Sequence, residues 1–121
     1  METVSLPPVY RPRPYQKPTA PLVKRHNTSM PDEASIASFI YSGSEKNLFS
    51  HTPILMLHGN GEEHGIFGRV IDATVDRGYD VVAMDSRDQG ESTRGSAAFT
   101  YERMTADAAA VLDDLGVAGA H

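Results

Sequence analysis

The stretch from Pro53 to Gly65, PILMLHGNGEEHG, restricts the folds open to this chain more than any other. Every residue from Ile54 to Leu57 is apolar, and a strand that is apolar throughout has both faces covered, as in the middle of a parallel sheet. A parallel neighbour needs a crossover. The next residues supply one: IFGRVIDATVDR places Ile66, Phe67, Val70, Ile71, Thr74 and Val75 at helical spacing, with Gly78 positioned to end the helix. Tyr79 to Met84, YDVVAM, then reads as a second buried strand. The unit is strand, glycine turn, helix, strand, and it makes the chain an α/β protein.

Around this unit the pattern is simpler. Ser35 to Tyr41, SIASFIY, is rich in strand formers, and GSEKN at 43–47 reads as a turn in a hairpin-like connection to Pro53. After Asp85 a polar loop leads to a second helix, with Thr100 as N-cap and Glu102 in the first turn, where a carboxylate suits the dipole. Met104, Ala108, Val111, Leu112 and Leu115 form its apolar stripe, and Gly116 can terminate it.

Residues 1–31 are different: they contain seven of the eight prolines, at 7, 8, 12, 14, 18, 21 and 31, among tyrosines and basic residues. Proline lacks a donor and biases its predecessor toward extended geometry, so an extended or disordered arm is expected. The domain proper is expected over 32–121. No internal repeat is visible.

Composition excludes several classes. A formal net charge of -5 gives no overall basic field for nucleic acid or anionic lipid. The absence of cysteine removes disulfides, thiolate metal sites and cysteine nucleophiles. No apolar run reaches the roughly 18 residues of a membrane span, and METVSLPPVYRPRP has no signal-like apolar core, so neither membrane association nor export is expected and a cytoplasmic location is the default.

Two chemistries begin with a strand running into a glycine turn. Gly59, Gly61 and Gly65 make a GxGxxxG spacing, with Asp85 at the end of the next strand for ribose hydroxyls and Arg87 for a 2′-phosphate, as an NADP-type dinucleotide module requires. Against it, Glu62 and Glu63 would stand beside two phosphate charges.

The second chemistry uses more of the sequence. PILMLHGNG resembles the strand and oxyanion turn of the α/β-hydrolase fold family; DSRDQGES resembles the D-x-R-x-x-G-x-S loop after its next strand; TYERMTADAAAVLDDLGV resembles the following helix. The three occur in the family's order. The resemblance implies a partial α/β-hydrolase fold, a mostly parallel sheet flanked by helices, and a parent reaction of ester or similar acyl hydrolysis without cofactor or metal. It implies that the Asn60 backbone amide is one oxyanion donor, that His58, Gly59 and Gly61 shape the turn, and that Asp85, Arg87, Gly90 and Ser92 form a structural loop. Asp88 stands where the family generally has glycine. Glu62, Glu63 and His64 read as a solvated turn or a substrate entrance.

The family's nucleophile elbow, usually G-x-S-x-G, and the acid and histidine that follow it are absent from these residues, so no catalytic residue is expected in this chain. VAGAH, ending at His121, resembles the entry to the nucleophile strand. The expectation is an N-terminal portion, inactive alone, whose all-apolar strand presents an edge to a complementary C-terminal half or to another copy. A small ester-like molecule is the expected substrate of the complete protein. A non-catalytic segment that docks a partner through the proline arm remains a third reading.

Overall fold

A computed structural model describes residues 16–43, 48–59, 61–117 and 119–121. The prolines at 7, 8, 12 and 14, residues 44–47 of the expected turn, and Asn60 lie outside this set. Four strands, β1 (Lys24–Ser29), β2 (Ser35–Tyr41), β3 (Ile54–Leu57) and β4 (Val81–Met84), form one sheet in the order β1-β2-β4-β3. The helices are α1 (Gly68–Asp76) and α2 (Tyr101–Asp114). Of the three pairings, β1–β2 and β2–β4 are antiparallel and β3–β4 is parallel, so the sheet is mixed.

Strand alternation distributes the core over both faces. Ile36, Ile40, Val82 and Met84 point to one face and pack with Ala108 and Val111 of α2. Ala37, Phe39, Tyr41, Val81 and Ala83 point to the other, where Met56 and Ile71 of α1 join them. The result is three layers, with β4, buried at every position, in the middle of the sheet. Thr100 caps α2 as its residue type suggests, its hydroxyl accepting from the Arg103 amide at 3.0 Å. Gly78 and Gly116, at φ 87° and 74°, follow the two helices in the left-handed region that glycine adopts freely.

Several expectations need correction. Among the described strands the sheet is mixed rather than mostly parallel, because β1 and β2 run antiparallel to their neighbours. The arm expected over 1–31 stops short: its residues 24–29 form β1, which pairs along its whole length with β2, and Thr28 and Met30 are buried. No proline falls between Pro21 and Pro31, so every amide of that stretch can join a ladder. The chain reverses at 30–34, where Glu33 takes φ 70°. The hairpin expected between β2 and Pro53–Leu57 does not form, because β4 inserts between them. Helix α1 starts later than Ile66, after a 3₁₀ turn at His64–Phe67, and leaves Ile66 and Val70 exposed.

Residues 16–20 also lie on the domain. Asp72 of α1 accepts from the amides of Thr19 and Ala20, each at 2.9 Å, and from the Thr19 hydroxyl at 2.7 Å. Gly68 makes this passage possible, since a Cβ there would stand 1.6 Å from the Gln16 carbonyl oxygen.

Strand β3 lies at the edge of the sheet, and only Met56 of its four residues is buried. Coverage on both faces, expected from its composition, is therefore incomplete here. Next to its first half, His121 donates to the Pro53 carbonyl at 3.0 Å and accepts from the Leu55 amide at 2.8 Å. That exchange is the hydrogen-bond pattern of a parallel neighbour. Further along, Leu57 is 49% exposed.

Candidate functional site

The parallel strands β3 and β4 end side by side, so the segments that follow them meet. His58 joins the two ends. The Ser86 amide donates to its Nε2 at 3.0 Å, which places the proton on Nδ1, 2.7 Å from the Gly59 carbonyl. The ring is buried and engaged at both nitrogens, as a bracing residue is.

The glycine turn is held by side chains of its own neighbourhood. The Gly59 amide donates to Glu62 Oε1, the Gly61 amide to Gln89 Oε1, the Gly65 amide to Glu63 Oε2 and the His64 amide to Asp85 Oδ1, all at 2.7–2.8 Å. The two glutamates, expected to be solvated, are acceptors for turn amides. Carboxylates at such positions are favourable for the reason that phosphates are. A pyrophosphate would have to displace them, which counts against the dinucleotide reading. Gly61 adopts φ 78°, a conformation that requires glycine or a small polar residue. Asn60 lies outside the described residues.

Asp85 and Arg87 act separately. Asp85 is fully buried and accepts from His64 Nδ1 at 2.8 Å and from the Glu91 amide at 2.9 Å, in addition to the His64 amide. Burial pushes its carboxyl up, but the bonds from His64 and Glu91 outweigh burial and hold it below the usual carboxylate range. Arg87, equally buried, forks onto Asp107 of α2 through Nε and Nη2 at 2.8 and 3.0 Å, and reaches Asp32 through Nη1 at 2.7 Å. Asp107 and then Asp32 raise the guanidinium above its ordinary value. Asp32 is held low, first by Arg87 and then by the Ala97 amide. Sequence spacing does not reveal either partner, since 55 residues separate Asp32 from Arg87.

The rest of the loop is a tight turn. Ser92 donates its hydroxyl to the Asp85 carbonyl at 2.6 Å and accepts from the Ala37 amide at 2.8 Å. Gly90 lies at φ 55°. Asp88, in place of the expected glycine, adopts φ 62°, a left-handed conformation that aspartate tolerates better than most residues.

His64 is the residue that sequence reading undervalues. Phe39 of β2 stacks on its ring at 3.6 Å between centroids and 11° between planes. Beside the turn, a cavity of about 480 Å³ is lined by His58, Gly59, Gln89, Phe99, Tyr101 and Met104 among others. It combines an apolar wall with the backbone of the glycine turn.

A family model for the alpha/beta hydrolase fold matches residues 52–121, and the chain belongs to this family. Solved structures agree. Epoxide hydrolase A from Mycobacterium thermoresistibile is 27% identical, with a TM-score of 0.65 over 80% of this chain and 30% of that one. A probable hydrolytic enzyme from Pseudomonas aeruginosa is 25% identical, with a TM-score of 0.68 over 87% of this chain and 33% of the other. An esterase from Exiguobacterium antarcticum, at 22% identity and a TM-score of 0.65, covers 75% of this chain and 31% of its own, and supports the fold alone. The chain thus spans about a third of the length of these structures. No curated protein matches it in sequence.

Proposed function

We propose that this chain supplies the oxyanion side of an esterase-like hydrolase, and that the serine nucleophile, acid and histidine lie outside these 121 residues. The observation that carries the reading is the braced glycine turn at the end of β3. An amide fixed at a strand-to-helix turn can stabilise charge that develops on a carbonyl oxygen. Asn60 is the donor in this reading, flanked by Gly59 and Gly61, whose own amides are engaged. The hydrocarbon part of an ester fits the cavity walled by Phe99, Tyr101 and Met104. The reading also assigns the free half of the β3 edge to another strand, from a complementary part of the hydrolase or from a second copy of the chain.

The reaction requires no cofactor in this reading. The chain alone is expected to leave a short-chain p-nitrophenyl ester unhydrolysed; turnover abolished by a serine-directed inhibitor would refute that. The coding sequence beyond residue 121 is then read for a G-x-S-x-G, and the extended protein assayed. Asn60→Pro, which deletes the proposed donor, should lower its kcat by about a hundredfold or more. An unchanged kcat places the oxyanion hole elsewhere.

A further inference from the structure

We propose that Glu63, His64 and Asp85 form a binding site for a first-row divalent metal ion of the zinc class. One carboxylate oxygen from each acid and one imidazole nitrogen lie within 4.8 Å of one another. His64 Nδ1 is 2.8 Å from Asp85 Oδ1 and 3.3 Å from Glu63 Oε2. A metal bonded to nitrogen and oxygen donors at roughly 2.0–2.2 Å keeps neighbouring donors about 3 to 3.5 Å apart, so the three atoms already stand near coordination spacing. The inference does not depend on the hydrolase reading.

The donors are held in advance. Phe39 fixes the plane of the imidazole. The Glu91 amide holds Asp85 through its other oxygen, Oδ2, while the His64 and Gly65 amides donate to the ligand oxygens themselves, Asp85 Oδ1 and Glu63 Oε2, and leave each a second lone pair for the ion. Such outer contacts orient the ligands of metal sites. Glycine at 65 contributes clearance rather than backbone freedom, because it is absent from the positive-φ residues. A Cβ at that position would lie 2.5 Å from Glu63 Oε1 and displace the carboxylate.

The donor set points the same way. One imidazole with two carboxylates suits zinc and its neighbours, and no thiolate is available to select a softer ion. The site borders a cavity of about 480 Å³ with Tyr41 and Glu91 on its wall and Lys17 at its exposed rim, which leaves room for water to complete the coordination. A bound ion would tie the 3₁₀ turn after the glycine segment to the end of β4.

The test is titration of the full chain with Co²⁺, read by visible d–d absorption, followed by displacement with Zn²⁺ in calorimetry. One ion per chain is expected. His64→Ala should abolish binding, Glu63→Gln should weaken it by more than about tenfold, and Gly65→Ala, with all three ligands present, should weaken it measurably. His26→Ala removes another histidine that lies against an acid, and should change nothing. Far-UV circular dichroism checks each variant for folding; if His64→Ala unfolds, Glu63→Gln and Gly65→Ala decide. No binding up to about millimolar metal, or undiminished binding in Glu63→Gln and Gly65→Ala, overturns the proposal, as does loss of binding in His26→Ala.

Discussion

The two edges of the sheet are made of opposite materials. At one edge β1 presents Lys24, Arg25, His26 and Asn27, polar along its length and paired over six residues with β2. At the other, β3 offers four apolar residues, and Leu57 is half exposed. Charged residues on an edge discourage a further strand, whereas a flat apolar edge invites one. The first edge is suited to water. The second is suited to a neighbour, and His121 already occupies its first half.

The sides also differ in how they are fastened to β4. Behind β1 and β2, Arg87 links the 30–34 turn to α2 through buried charges. Behind β3 the fastenings are the hydrogen bond that His58 accepts from the Ser86 amide and the bonds that His64 donates to Asp85. The largest expected effect is therefore on the first side: Arg87→Ala removes both guanidinium bonds to buried Asp107, leaves it only the 3.3 Å contact with Arg103, and should cost about 3–5 kcal/mol in urea unfolding. A loss below about 1 kcal/mol would mean that the ladder alone holds that side. The edges themselves are separated by Leu57→Lys, expected to weaken the proposed association of copies through the β3 edge about tenfold in sedimentation, or about 1.4 kcal/mol, while Asn27→Lys on β1 leaves it unchanged. Equal responses would remove the distinction between the edges.

Much of this was legible in the sequence because it depends on local pattern. The apolar runs, the Thr100 cap and the glycines at 78 and 116 each state a local preference that the fold keeps. The β1 strand was hidden by its prolines, although none lies inside it. What could not be read was partnership at a distance. Asp72 on the arm, Asp32 on Arg87 and Asp85 on His64 are ordinary acids until the sheet order brings them together. Glu62 and Glu63 carried a usable signal: acids among glycine amides at the start of a helix are acceptors first.

Acid should act on the charged edge next. His26 Nε2 lies 2.5 Å from Asp114 Oδ2, and the Thr28 hydroxyl donates to the same oxygen at 2.9 Å. These bonds, His26 first, hold the Asp114 carboxyl below its ordinary value. A carboxyl that is lower in the folded state contributes stability above its unfolded pKa of about 3.9 and loses it as pH falls through the folded value. Asp114→Asn should therefore flatten the acid limb of the thermal midpoint below about pH 4, with less effect near neutrality. An acid limb identical to the parent's would show that the tie between β1 and α2 carries no free energy.

The smallest effect is expected at Asp88, in the loop that separates the two fastenings. Its backbone is left-handed, and its ion pair with Arg94 is 3.6 Å long between side chains more than half exposed. Such a pair contributes little. Glycine relieves the strain of the left-handed conformation but loosens the unfolded chain, and the two terms are of similar size. Asp88→Gly and Asp88→Asn should each stay within about 0.5 kcal/mol of the parent in chemical denaturation. A loss well beyond that from glycine alone would mean that the aspartate side chain holds the loop, and that the departure from the family's glycine is a third fastening rather than a tolerated substitution.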